Sequence, residues 1–130
     1  MSVRSEYWLE QAEYDLETAK AMLETRRYLY VGFMCHQVIE KMLKAYYVSV
    51  KGEMPPYTHN LELIAQKSSL AKSLTPDQLD FIRRIEPLNV ESRYPADREL
   101  LAKALSPERC RLILDQTTEM YAWIKQKLSD

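Results

Sequence analysis

Apolar residues recur at helical spacing along almost the whole chain. Leu9, Ala12, Leu16, Ala19 and Leu23 form an i, i+3, i+4, i+7 stripe that predicts a first helix over residues 5–25, with Asp15 in or beside it. The stretch 29–50 has a different character. Val31, Met34, Cys35, Val38, Met42 and Ala45 fill one face, and Phe33, Leu43, Tyr46 and Tyr47 crowd the others. A helix with so little polar surface belongs at the centre of its domain. A polar line nevertheless runs through it: His36, Gln37, Glu40, Lys41 and Lys44. His36, Glu40 and Lys44 are four residues apart and stack on one ridge. Each polar group carried into such a helix costs about 1–3 kcal/mol if left unbonded, so the ridge requires a partner.

Local signals divide the remainder. Lys51-Gly52 gives a basic last turn and a glycine stop, and Pro55-Pro56 stiffens the following loop. Thr58 is placed to cap a third helix over 59–71, with His59 in its first turn. Thr75-Pro76-Asp77-Gln78 combines threonine at N-cap, proline at N1 and glutamine at N3, which opens a fourth helix ending near Glu86-Pro87. Residues 88–96 read as an irregular connector and 98–105 as a short helical piece. Ser106-Pro107 caps a long last helix whose Cys110, Ile113, Leu114, Thr117, Tyr121, Ile124 and Leu128 keep helical period. The expected fold is one all-α domain over residues 1–130, an antiparallel up-and-down bundle of four to five main helices plus a short one.

The run His36-Gln37-Val38-Ile39-Glu40-Lys41-Met42-Leu43-Lys44-Ala45 resembles the central helix of HEPN domains (higher eukaryotes and prokaryotes nucleotide-binding). Gln37, Glu40, Lys41, Lys44 and Ala45 fill that family's Q-x-x-E-K-x-x-K-A pattern in order. The opening helix with Ala12, Asp15, Leu16 and Ala19, the segment Thr58-His59-Asn60-Leu61, and Ser92-Arg93-Tyr94-Pro95 agree with it in place and spacing. The resemblance covers essentially the whole chain. It implies a small stand-alone prokaryotic protein that pairs with itself. It also implies a nucleotide or RNA ligand, or a minimal nucleotidyltransferase partner in a two-component module of toxin–antitoxin type.

HEPN ribonucleases resemble one another in an arginine followed four to six residues later by histidine, with two subunits forming the cleft. This chain departs from that pattern. His36 and His59 are its only histidines, and eight residues separate Arg27 from His36. After Arg93 come Tyr94, Pro95, Ala96, Asp97 and Arg98, with no histidine beyond. The proton acceptor is missing where the resemblance would place it, which points away from cleavage. Arg93, Tyr94, Asp97 and His59 remain the candidate nucleotide- or RNA-binding residues: arginine for bidentate contact with phosphate, tyrosine for stacking, Asp97 to orient Arg93. Arg93 paired with Glu40 or Asp15, and Tyr94-Pro95 packed on the bundle, is the structural alternative. His36, Gln37, Glu40, Lys41 and Lys44 are structural-ridge candidates, with Glu40 expected to be buried against Lys44 or Arg93.

Charge and composition narrow the functional range. The 130 residues hold 18 basic and 19 acidic side chains, a net charge of −1. A protein that clamps nucleic acid by charge alone carries a basic excess, so any RNA contact here is local. Between Arg83 and Arg111 seven basic residues accompany five acidic ones, a mixed and solvated surface. Cys35 and Cys110 lie among apolar helical residues and read as core, which argues against a disulfide or a zinc site. No cofactor or metal is expected. No apolar run approaches the ~20 residues that span a bilayer, and the acidic start offers no signal-peptide core, so a cytoplasmic protein is expected. Of nine tyrosines most fall on helix faces, where packing or subunit contact explains them, and together with the all-round apolar second helix they lead to an expected homodimer. An atypical metal-independent ribonuclease using Arg93, Tyr94 and His59 is the enzymatic alternative; an assembly module without ligand is the other.

Overall fold

The computed structural model describes residues 3–90 and 94–130; Arg93 and its two preceding neighbours, and every role suggested for them, lie outside. Among the described residues six α-helices and two 3-10 turns are bounded, in order, with no strand. They are α1 (Val3–Glu24), α2 (Tyr28–Lys51), α3 (Leu61–Lys67), α4 (Pro76–Ile85), α5 (Pro95–Ala104) and α6 (Pro107–Ser129). The all-α bundle expected from the periodicity is the fold observed.

Helix α2 is the hub, touching every other helix. Its apolar circumference explains why: Val31, Cys35, Val38, Ile39, Met42, Leu43 and Ala45 are all fully buried. Helix α1 lays Ala12, Leu16 and Ala19 along it. The pair is antiparallel, closed by a tight turn in which Arg27 N donates to Met22 O at 2.8 Å. At the far end Ser5 Oγ donates to Ala45 O at 2.7 Å. Helix α6 covers another side of α2 with Cys110, Ile113, Thr117, Tyr121 and Ile124. Gly32 provides the close approach for the segments around α5, since a Cβ there would meet Leu88 and Leu105 methyl groups at 3.3 Å.

The Thr75–Gln78 capping box is present in both directions, and Ser106 accepts from Arg109 N as an N-cap. Gly52 ends α2 in the left-handed conformation with φ 67°. Other boundaries differ from expectation. Thr58 does not cap α3; its hydroxyl accepts from Asn60 N at 3.1 Å, and Asn60 is the cap, accepting from Leu63 N. This local side-chain turn moves the helix start forward and leaves His59 outside the helix. Helix α3 also ends early. Ser68 Oγ donates to Ala65 O and accepts from Leu70 N, and Ser69 turns left-handed, so residues 70–73 continue only as a 3-10 turn. Helix α5 begins at Pro95, before the expected position, because proline's fixed φ suits N1.

Candidate functional site

The ridge on α2 splits between two partners. Lys41 reaches across to the buried Asp15 of α1 and pairs with it. Gln37 is half-buried beside it. His36, Glu40 and Lys44 turn instead toward the segment that precedes α3, and all three are buried.

Glu40 is the centre of this second group. Its Oε2 accepts from Lys44 Nζ at 3.0 Å and its Oε1 lies 2.9 Å from His59 Nδ1. The Lys44 ammonium also sits 5.5 Å above the Trp8 ring, so α1 supplies a cation–π contact to the same charge. The expected pairing of Glu40 with Lys44 is present; the alternative partner, Arg93, is outside the described residues.

His36 occupies the interior side. Its ring is fully buried, with Nδ1 3.8 Å from Glu40 Oε1 and Nε2 4.0 Å from Glu86 Oε1. These separations exceed hydrogen-bonding distance, and neither ring nitrogen has such a partner. The imidazole thus lies between two carboxylates without a hydrogen bond to either. Glu86 also accepts from Leu61 N at 3.1 Å, where the first turn of α3 offers an unpaired amide. One cluster thereby ties α1, α2, the loop before α3, α3 itself and the turn after α4.

Tyr94 and Asp97 lie elsewhere. Tyr94 takes the N-cap position of α5, 80% exposed, with no side-chain capping bond. Asp97 is exposed in the first turn of α5 and, with Pro87, Leu100 and Leu101, lines a groove of about 210 Å³. No described hydrogen bond or ion pair joins either residue to His59. The described candidates therefore form two places rather than one. Glu86 and Trp8 belong to the Glu40 cluster and were not singled out by sequence; neither lies in a recognisable motif. Arg98 donates to Tyr30 Oη at 2.9 Å and anchors α5.

Both cysteines are buried free thiols. Burial pushes the Cys35 thiol up to about 12, against the lowering influence of Thr117, and burial raises Cys110 as well. Neither has the character of a nucleophile. Among the described residues no group of three or more His, Cys, Asp or Glu is placed to hold a metal ion, and no helix is long and apolar enough to cross a membrane.

The fold has a counterpart in the crystal structure of TT1696 from Thermus thermophilus. The TM-score is 0.83, with 97% of this chain and 99% of that one covered at 20% identity; this is a likeness of fold. No curated protein matches the sequence. The HEPN domain family does match, over residues 5–127, so that the central-helix pattern and the bundle around it come from one source. The chain belongs to the HEPN domain family.

Proposed function

We propose that this HEPN protein is a homodimeric binding protein that contacts a nucleotide or RNA at the start of α5, with Tyr94 and Arg93 as contact residues. The observation that carries the reading is the separation of the two places. Both histidines lie at the Glu40 carboxylate, while Tyr94 stands exposed at the N-terminus of a helix. An exposed ring offers a stacking platform to any base, and free helix-end amides favour a phosphate beside it. A minimal nucleotidyltransferase, in a module of toxin–antitoxin type, is the protein partner that this family membership suggests. The test is fluorescence anisotropy with a labelled single-stranded RNA and, separately, a labelled adenine nucleotide. Binding is expected for at least one and is expected to be lost in Arg93→Ala, with no RNA cleavage at neutral pH. Absence of binding to both would leave only an assembly role.

One contact favours a second reading. His59 is two-thirds exposed, and its Nδ1 is held by a buried carboxylate at 2.9 Å, leaving Nε2 outward. A carboxylate-oriented imidazole is a general base in form, and an atypical ribonuclease would use it on a ribose 2′-hydroxyl. RNA cleavage by the purified protein that disappears in His59→Gln would establish this reading in place of the first.

A further inference from the structure

Helices α4 and α6 turn two short stripes toward a common space. On α6, Gln116, Glu119, Met120 and Trp123 follow at i, i+3, i+4 and i+7 and so share one face. On α4, Asp77, Gln78 and Phe81 do the same within the first two turns. Together they line a cavity of about 320 Å³, within the ~300–1,000 Å³ of small-molecule sites. Phe81 and Met120 are buried and Trp123 is half-buried, which makes much of the wall apolar and aromatic. Asp77 and Glu119, one from each helix, also line it and are exposed.

The charged residues that line this cavity have one sign. Neither Asp77 nor Glu119 has a hydrogen-bond or ion-pair partner for its side chain among the described residues, and no lysine, arginine or histidine lines the space. The position of Asp77 in the first turn of α4 suits the positive end of that helix, but Glu119 lies in the middle of α6, where no such reason applies. The chain's own cations stop at the edges. Arg84 reaches Gln116 at 3.4 Å, and its charge is met by Asp80 at 2.9 Å. Lys127 lies 5.3 Å from the centre of the Trp123 ring and Arg84 5.6 Å from that of Phe81, so both rings already attract positive charge. Two carboxylates supply too few oxygens to replace the shell of a hard metal ion. A primary ammonium would lose hydration against rings that cannot accept its hydrogen bonds in full. An alkylated ammonium meets neither obstacle: its methyl groups pack on the rings and on Met120, and its diffuse charge faces the carboxylates.

We infer that the space between α4 and α6 binds a small quaternary or alkylated ammonium compound, with its cationic head on Trp123 and Phe81 and attracted by Asp77 and Glu119. The site shares no residue with the nucleotide or RNA surface proposed at the start of α5, and the two readings stand or fall separately.

Choline is the probe, and its uncharged isostere 3,3-dimethylbutan-1-ol is the control. The chain has two tryptophans, Trp8 and Trp123, so heteronuclear NMR gives two indole N–H signals, of which that of Trp123 reports on the cavity. Choline chloride is expected to shift the Trp123 signal saturably at millimolar concentration, relative to sodium chloride at equal ionic strength, while the Trp8 signal stays in place. The neutral alcohol is expected to bind about tenfold more weakly, because it lacks the charge that the rings and carboxylates attract. Glu119→Gln and Asp77→Asn are each expected to weaken choline binding about threefold, and the double variant about tenfold. Both residues are exposed, so these changes test binding without disturbing the core. Absence of a saturable Trp123 shift overturns the assignment. Equal affinity for choline and the alcohol, or choline binding indifferent to both substitutions, overturns it as well.

Discussion

Helices α2 and α5 each carry charged side chains beside aliphatic ones, and the fold uses them in opposite ways. In α2, thirteen of 24 residues are buried, and Glu40 and Lys44 have opposite charges beside them. In α5 nothing is buried, and Asp97, Lys103 and Leu100 face outward. A buried charge without a partner is expensive, so α2 must assemble its neighbours around Glu40. An exposed charge has little effect on stability, so α5 is free to present its charges to another molecule. The short turn Glu86–Leu88 joins the two, with Glu86 facing His36 and Pro87 lining the groove of α5. The buried cluster and the exposed groove are separated by one peptide unit.

The contrast is broken most directly at Glu40. Glu40→Ala leaves Lys44 and His36 without their carboxylate and is expected to cost about 3–5 kcal/mol, lowering Tm by roughly 10 °C or more. A loss of only a few tenths of a kcal/mol in urea unfolding would make the ridge a solvated face. Thr75→Ala removes one half of a capping box and is expected to cost about 1 kcal/mol, the ordinary value for a cap at the edge of the core. Leu100→Ala is expected to change global stability by less than about 0.5 kcal/mol at protein concentrations where the chain is monomeric, because the removed atoms are exposed. Native-state hydrogen exchange sharpens the same comparison: α5 amides are expected to exchange through local opening, and the middle of α2 only through global unfolding.

The smallest effect concerns pH. Arg83 donates two hydrogen bonds to Glu62, at 2.9 and 3.0 Å, and this holds the Glu62 carboxyl below its ordinary 4.5. A carboxyl whose pKa is lowered by folding contributes stability above its unfolded value and loses it as pH falls through the folded one. Arg83→Ala is therefore expected to lower stability slightly near neutrality, the pair being exposed, with the deficit vanishing as pH falls through the carboxyl range.

The helical pattern made the hub legible, because burial on all sides leaves no polar face to hide. It also identified Glu40 and Lys44, whose spacing brings them together within one helix. Capping chemistry located α4 and α6 for the same local reason. The boundary of α3 was not legible. Thr58 and Asn60 are both good caps, and only the turn that Thr58 makes decides between them. Glu86 was missed because its partners, His36 and Leu61 N, lie distant in sequence, and nothing in a one-dimensional pattern marks a carboxylate at a helix end as inward. Leu100 of α5 remains outside; periodicity records which residues share a face, not whether the face is covered.

The division between a structural Glu40 cluster and a recognition surface on α5 is tested most directly by anisotropy titration of labelled single-stranded RNA against Tyr94→Ala. Loss of one stacked ring is expected to weaken binding about fivefold or more, with Tm unchanged within about 1 °C. Unaltered affinity in Tyr94→Ala, together with loss of binding in His59→Ala, would contradict the account and move recognition to the Glu40 cluster.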